Sequence, residues 1–220
     1  MPLPQTLRQR APHRIRDHPG LRAVALATGL IPPRTMHSPA EAALLRRLAA
    51  GARQVVEIGV YEGSSALVFY EALDAGAELH LIDPFPRQSG AALVTGWRGS
   101  AAATQRAVRR RSRRDGPTVR WHIERSQVIG RDWSGPTLDL VFIDGDHFGP
   151  ACREDWDVWH PHVRPGGSVA FHDARLGAPG GDGGPGPTSV VNDLFRGPEP
   201  AADWAIADEL DTVVVVQRRG

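Results

Sequence analysis

The sequence predicts an α/β fold built on an open, doubly wound and mostly parallel sheet. Three observations predict it. Residues 54–83 read as strand, glycine turn, helix, strand and acid. Further buried strands, at 138–143 and 168–171, alternate with amphipathic stretches. The chain then closes on two strands, 204–208 and 212–216, separated by a short turn.

The first unit is the most informative. Residues 54–58 (Gln-Val-Val-Glu-Ile) are apolar and β-branched enough for an interior strand. Gly59 and Gly63 bracket a tight turn, where glycine allows positive φ and close approach of a ligand. Ser64 and Ser65 open the next helix, whose first N–H groups are free to meet a polar group. A second strand, 78–82, ends at Asp83, placed to hold the hydroxyls of a ribose. The unit is therefore a nucleoside-binding βαβ element. A dinucleotide fingerprint is excluded, because Tyr61 and Ser64 stand where its second and third glycines belong. A phosphate-binding P-loop is excluded too: the chain has no lysine, and all 26 of its Lys and Arg residues are arginine. The remaining pattern, Glu57-x-Gly59-x-x-x-Gly63, resembles the first motif of class I S-adenosylmethionine-dependent methyltransferases.

Composition bounds the rest. At 220 residues, 41% apolar and 23% charged, the chain suffices for one α/β domain with a sizeable core. A net charge of +1 gives no global drive toward nucleic acid or a membrane surface. A single cysteine, Cys152, excludes an internal disulfide framework and fits a reducing compartment. No apolar run approaches the roughly 18 residues that span a bilayer, and the basic N-terminus lacks an apolar signal core. The expected location is cytoplasmic.

Two divisions are expected: an N-terminal arm or cap over 1–34, with Arg8, Arg10, Arg14 and Arg16 and a short helix at 21–28, and a main domain over 35–220. Ser38-Pro39-Ala40-Glu41 is a capping box with proline at the first helical position, and Gly51 stops that helix. Pro84-Phe85-Pro86 is a loop at the end of the second strand. A helix over 99–114 carries Arg106, Arg109, Arg110, Arg111, Arg113 and Arg114, either a solvated basic end or a docking patch for an acidic partner. A strand at 118–123 leads into Glu124-Arg125-Ser126, with Val128 and Trp133 beyond. The glycine–proline run 177–187 predicts a loop, either a lid or a connector, before a short helix at 189–195.

Ligands bind an open parallel sheet at the carboxyl ends of its strands. Asp144, Asp146 and His147 follow one such end; His172 and Asp173 follow another; Glu57 and Asp83 share the edge. With "FIDGDH" (142–147), "RPGG" (164–167) and "FHDA" (171–174), residues 35–219 resemble the small-molecule O-methyltransferases that use a divalent metal, closest to a bacterial group of antibiotic-tailoring enzymes. The resemblance implies a Rossmann-like seven-stranded sheet of order 3-2-1-4-5-7-6 with strand 7 antiparallel. It implies S-adenosylmethionine held by Glu57, Gly59, Tyr61, Gly63, Ser64, Asp83, Ser126 and Asp144. It implies a metal on Asp144, His172 and Asp173, where the imidazole admits Mn²⁺ or Fe²⁺ beside Mg²⁺. It places a base at His147, with Asp146 in reserve, because relatives carry lysine or histidine three positions after the first metal acid. The implied partner is a small hydroxylated acceptor, in a chain free to form a homodimer; nucleic acid is not expected. Metal-free N-methylation, metal-dependent hydroxylation on the same fold, and a non-catalytic docking protein remain alternatives.

Overall fold

The computed structural model describes residues 18–85, 99–179, 181 and 183–220. Arg8, Arg10, Arg14, Arg16 and Pro86 lie outside the described residues. In chain order the elements are α1 (Pro19–Thr28), α2 (Pro39–Ala49), β1 (Gln54–Ile58), α3 (Ser64–Ala72), β2 (Glu78–Ile82), α4 (Ala101–Arg109), β3 (Thr118–His122), α5 (Ser126–Arg131), β4 (Leu138–Ile143), α6 (Gly149–Trp159), β5 (Val163–Phe171), α7 (Pro185–Val191), β6 (Trp204–Leu210) and β7 (Val213–Arg218).

The strands form one sheet in the order β3-β2-β1-β4-β5-β7-β6. The pairs β1–β2, β1–β4, β2–β3 and β4–β5 are parallel. β7 runs antiparallel to both β5 and β6, as the two closing strands predict. The strand order reverses between β1 and β4, and this switch point opens a crevice at the carboxyl ends of both strands.

Alternation along the strands divides the core into two layers. Val55, Leu79, Leu81, Leu140, Phe142, Val213 and Val215 face α2 and α3. Val56, Ile58, Val141, Ile143, Val214 and Val216 face Trp156, Trp159, Val190 and Val191 on the opposite side. Both faces of the central strands are therefore buried, which is why they read as continuous apolar runs.

Several local expectations shift. The "RPGG" turn lies inside β5: Leu138 pairs with Val163 and Leu140 with Ser168, so 164–167 bulge out of register between them. The last helix begins at Pro185, inside the predicted loop, because proline suits a first helical turn. The basic helix ends at Arg109.

The arm is joined to the domain along residues 18–34. Leu26 of α1 packs on Ala103 and Ala107 of α4. The Arg22 guanidinium donates to both Glu62 carboxylate oxygens at 2.5 Å, and the Arg34 backbone N–H donates to one of them at 2.8 Å. Arg110 donates to the Leu26 and Ala27 carbonyls at the end of α1. Arg113 lies over the Tyr70 ring, and Arg111 faces Glu71 at 4.0 Å. Three arginines of the predicted docking patch are thus engaged within the chain.

Candidate active site

A cavity of about 530 Å³ opens at the switch point. Its floor is the glycine turn. Gly59 has φ +85°, and a Cβ there would stand 2.1 Å from the Asp144 carbonyl oxygen, so only glycine lets β1 and β4 end this close together. Asp83 braces the turn: Oδ2 accepts from the Val60 and Tyr61 N–H groups at 2.9 and 2.8 Å, and Oδ1 from Phe85 at 2.7 Å. Tyr61, Phe85 and Asp173 hold positive φ without being glycine, and all three line the cavity.

Of the expected cofactor contacts, Gly59, Tyr61, Ser64, Asp83, Ser126 and Asp144 reach the cavity wall. Glu57 and Gly63 do not line the cavity. Glu57 is fully buried under the turn, where its Oε1 accepts from the Ser65 hydroxyl and its Oε2 has no hydrogen-bond partner among the described residues. Burial, with the Asp144 and Asp83 carboxylates nearby, pushes its carboxyl well above the usual range. Gly63 supplies the left-handed N-cap of α3 and packs against Thr104 and Val108. Val128 is exposed, and Trp133 packs between His80 and Trp159 in place of bordering the cavity.

At the far wall of the cavity the ends of β4 and β5 bring Asp144, His147, His172 and Asp173 together. His172 Nδ1 lies 2.9 Å from Asp144 Oδ1 and 3.3 Å from Asp173 Oδ2. His147 Nε2 approaches the same two oxygens at 3.9 and 3.5 Å. Ligand atoms of Asp144, His147 and Asp173 lie within 4.8 Å of one another. Burial alone would raise the Asp144 pKa, yet the His172 and His147 imidazoles hold it down to about 2. His147 is raised, chiefly by its hydrogen bond to Asp144 and then by the Asp144 and Asp173 charges. His172 is raised against the effect of its burial, by Asp144, Asp173 and Glu41. Asp146 is exposed; its Oδ1 accepts from the Phe148 N–H at 2.9 Å at the entry to α6.

Two acids were missed from the sequence. Glu41, fully buried, lies behind His172 with Oε2 at 3.6 Å from Nε2. Its Oε1 accepts from the Thr212 N–H and hydroxyl, while Oε2 closes the capping box on the Ser38 N–H. Despite burial, these partners hold it at about 2. Asp155, on α6, accepts from the Ser126 hydroxyl and from Gln127 Nε2 at 2.8 Å, and burial pushes it up to about 7.

Among the described residues, the group whose ligand atoms lie close enough together to hold a cation is Asp144, His147 and Asp173; His172 Nδ1 lies 2.9 and 3.3 Å from the same two carboxylates. A carboxylate behind the second nitrogen of a ligating histidine is a recurrent companion of such sites, and Glu41 occupies that place.

The fold and site define a class I methyltransferase, with the nucleoside crevice and a polar cluster meeting in one cavity. A family model described as a methyltransferase domain matches residues 56–174, and the chain belongs to that family. Solved structures share its fold. The O-methyltransferase TomG from Streptomyces achromogenes, involved in tomaymycin synthesis and complexed with SAM, is 19% identical with a TM-score of 0.61, over 96% of this chain and 92% of that one. An O-methyltransferase from Bacillus cereus complexed with SAH is 18% identical, TM-score 0.54, over 97% and 96%. The SAH-bound methyltransferase PaMTH1 of Podospora anserina is 15% identical, TM-score 0.59, over 100% and 98%. None of the described helices is long and apolar enough to cross a membrane.

Proposed function

We propose that the protein is an S-adenosylmethionine-dependent O-methyltransferase acting on a hydroxyl of a small molecule, with a divalent cation at the acceptor end of the cavity. The observation that carries this is the juxtaposition in one cavity of a braced glycine turn and the Asp144–His147–His172–Asp173 cluster. The O-methyltransferase names of the TomG and Bacillus cereus structures support the oxygen acceptor.

The sulfonium donor supplies an activated methyl group, and the cation, when bound, supplies positive charge that eases deprotonation of a hydroxyl. Asp83 and the Gly59 turn position the nucleoside. Holding donor and acceptor at attack distance contributes on the order of 7–11 kcal/mol. Asp144, His172 and Asp173 would hold the cation, with Glu41 behind His172. His147, half exposed across the cavity, takes the acceptor proton on Nε2. A base must be unprotonated to take that proton, so turnover rises with pH through the range in which His147 loses its own proton.

A second reading has one observation in its favour: a protonated His172 lies among three carboxylates and would offset part of their charge without a metal. Trideuteromethyl-labelled S-adenosylmethionine, offered with a panel of small hydroxylated molecules and followed by mass spectrometry, separates the two. Labelled O-methyl product that is lost with chelator supports the metal-assisted reading; product unaffected by chelator supports the second. His147→Ala lowers turnover by about 10²–10⁴-fold in either case. Labelling on nitrogen alone, or cofactor binding without any labelled product, overturns the proposal.

A further inference from the structure

The glycine–proline run is the sequence motif that the proposed reaction leaves unused. Its described end is tied down. Pro185 opens α7 and Pro187 is buried, so ring geometry fixes the backbone on both sides of Gly186. The Leu176 N–H donates to Thr188 Oγ1 at 3.0 Å, and the Thr188 N–H donates to the Gly184 carbonyl at 3.0 Å.

The segment meets the polar cluster at two points. Asp173 holds φ +50°, a conformation that persists in a residue other than glycine only where its surroundings fix it. The Gly184 N–H donates to the Asp173 carbonyl at 2.6 Å, and on the next residue the Ala174 N–H donates to the Thr212 carbonyl at 2.8 Å. Two positions after Gly184, Gly186 lies against the loop that carries His147. A Cβ on Gly186 would collide with the His147 carbonyl oxygen and stand 2.7 Å from the Gly149 nitrogen. Gly186 has no positive φ, so the close approach alone demands glycine there. The two contacts together span from Asp173 to His147, whose Oδ2 and Nε2 face each other at 3.5 Å.

We infer that residues 184–187 are a brace and not a lid: they set the spacing of His147 and Asp173, with Gly186 as the positioning residue. The inference rests on the cation reading above, since Asp144, His147 and Asp173 are the group close enough to hold one. Contacts behind such a group set its affinity by holding its members in place.

The test is Mn²⁺ binding followed by electron paramagnetic resonance, beside calorimetric binding of S-adenosylhomocysteine, in the wild-type chain, Gly186→Ala and Gly177→Ala. Gly186→Ala is expected to weaken Mn²⁺ by about tenfold and to leave S-adenosylhomocysteine unchanged, whereas a merely structural role would weaken both together. Gly177→Ala, whose Cβ would meet nothing within 4 Å, is expected to keep the wild-type affinity for both. Added to His147→Ala, Gly186→Ala should cost less than it does alone, because both act on one loop. If Gly186→Ala does not fold, amide exchange at Gly184 in the wild-type chain decides. A brace is protected before any ligand is bound, and a lid only once S-adenosylhomocysteine is present. A folded Gly186→Ala with wild-type Mn²⁺ affinity, an equal loss in Gly177→Ala, full additivity with His147→Ala, or an unprotected Gly184 amide overturns the inference. A wild-type chain that binds S-adenosylhomocysteine but no Mn²⁺ overturns the cation reading and the inference with it, and leaves the methyltransferase reading standing.

Discussion

Two buried glutamates on the same side of the sheet, the side packed on α2 and α3, carry opposite charge states. Glu57, at the end of β1, has among the described residues one hydrogen-bond donor, the Ser65 hydroxyl, so burial, with two carboxylates for neighbours, holds its carboxyl well above the usual range. Glu41, on α2, is as deeply buried but receives the Ser38 N–H and the Thr212 N–H and hydroxyl, with the His172 imidazole 3.6 Å away, and is held at about 2. Burial is common to both; the donors decide. Glu57 thereby adds no charge of its own beneath the nucleoside crevice, while the wall behind His172 carries a fixed negative charge.

The largest effect expected from this difference is on stability. Glu41→Gln removes the charge that faces His172 and should cost about 3 kcal/mol in urea unfolding, because it leaves a buried ionic partner uncompensated. A loss below about 1 kcal/mol would mean that His172 does not depend on Glu41.

The acid limb of the stability curve sharpens the same point. Glu41 falls from 4.5 in the unfolded chain to about 2 in the folded one, so its contribution is fully present above pH 4.5 and is lost as pH falls toward 2. That contribution amounts to about 3 kcal/mol. The difference between wild type and Glu41→Gln should shrink across that window, and a difference that is constant with pH would break the assignment.

Ser38→Ala removes the reciprocal cap of α2 and its hydroxyl bond to Asp211, and should cost about 1 kcal/mol, read as a lower urea midpoint. The smallest effect is expected at Glu57. Glutamine there mimics the protonated acid, so Glu57→Gln should change stability by less than about 1 kcal/mol at pH 5. Folded Glu57 keeps its proton to higher pH than the unfolded chain does, so it lowers stability as pH rises above 4.5. Glu57→Gln should abolish that decline; a steeper decline in the variant would contradict the charge state.

What the sequence made legible follows from locality. Gly59, Asp83, Asp144, His147 and Asp173 each end a strand or make the turn after it, so apolar run and polar terminus are contiguous. The seven-strand order came with them, through the resemblance those motifs carry. Glu41 was legible only as half of a capping box; its other oxygen reaches Thr212, 171 positions away, and nothing local signals that. Asp155 sits among the charged residues of an amphipathic helix, where it reads like a solvated acid until α6 turns it inward against Ser126. Glu57 and Gly63 belong to the same motif, and in the fold one supports the turn from beneath and the other starts α3.

The most direct measurement is calorimetric titration of S-adenosylmethionine into the full chain, once with Mg²⁺ and once with chelator. One-to-one saturable binding under both conditions is predicted, because the crevice at β1, β2 and β3 is built by the chain's own turn and acids, apart from the cation's ligands. No saturable binding in either condition would contradict the central claim that this crevice holds the methyl donor.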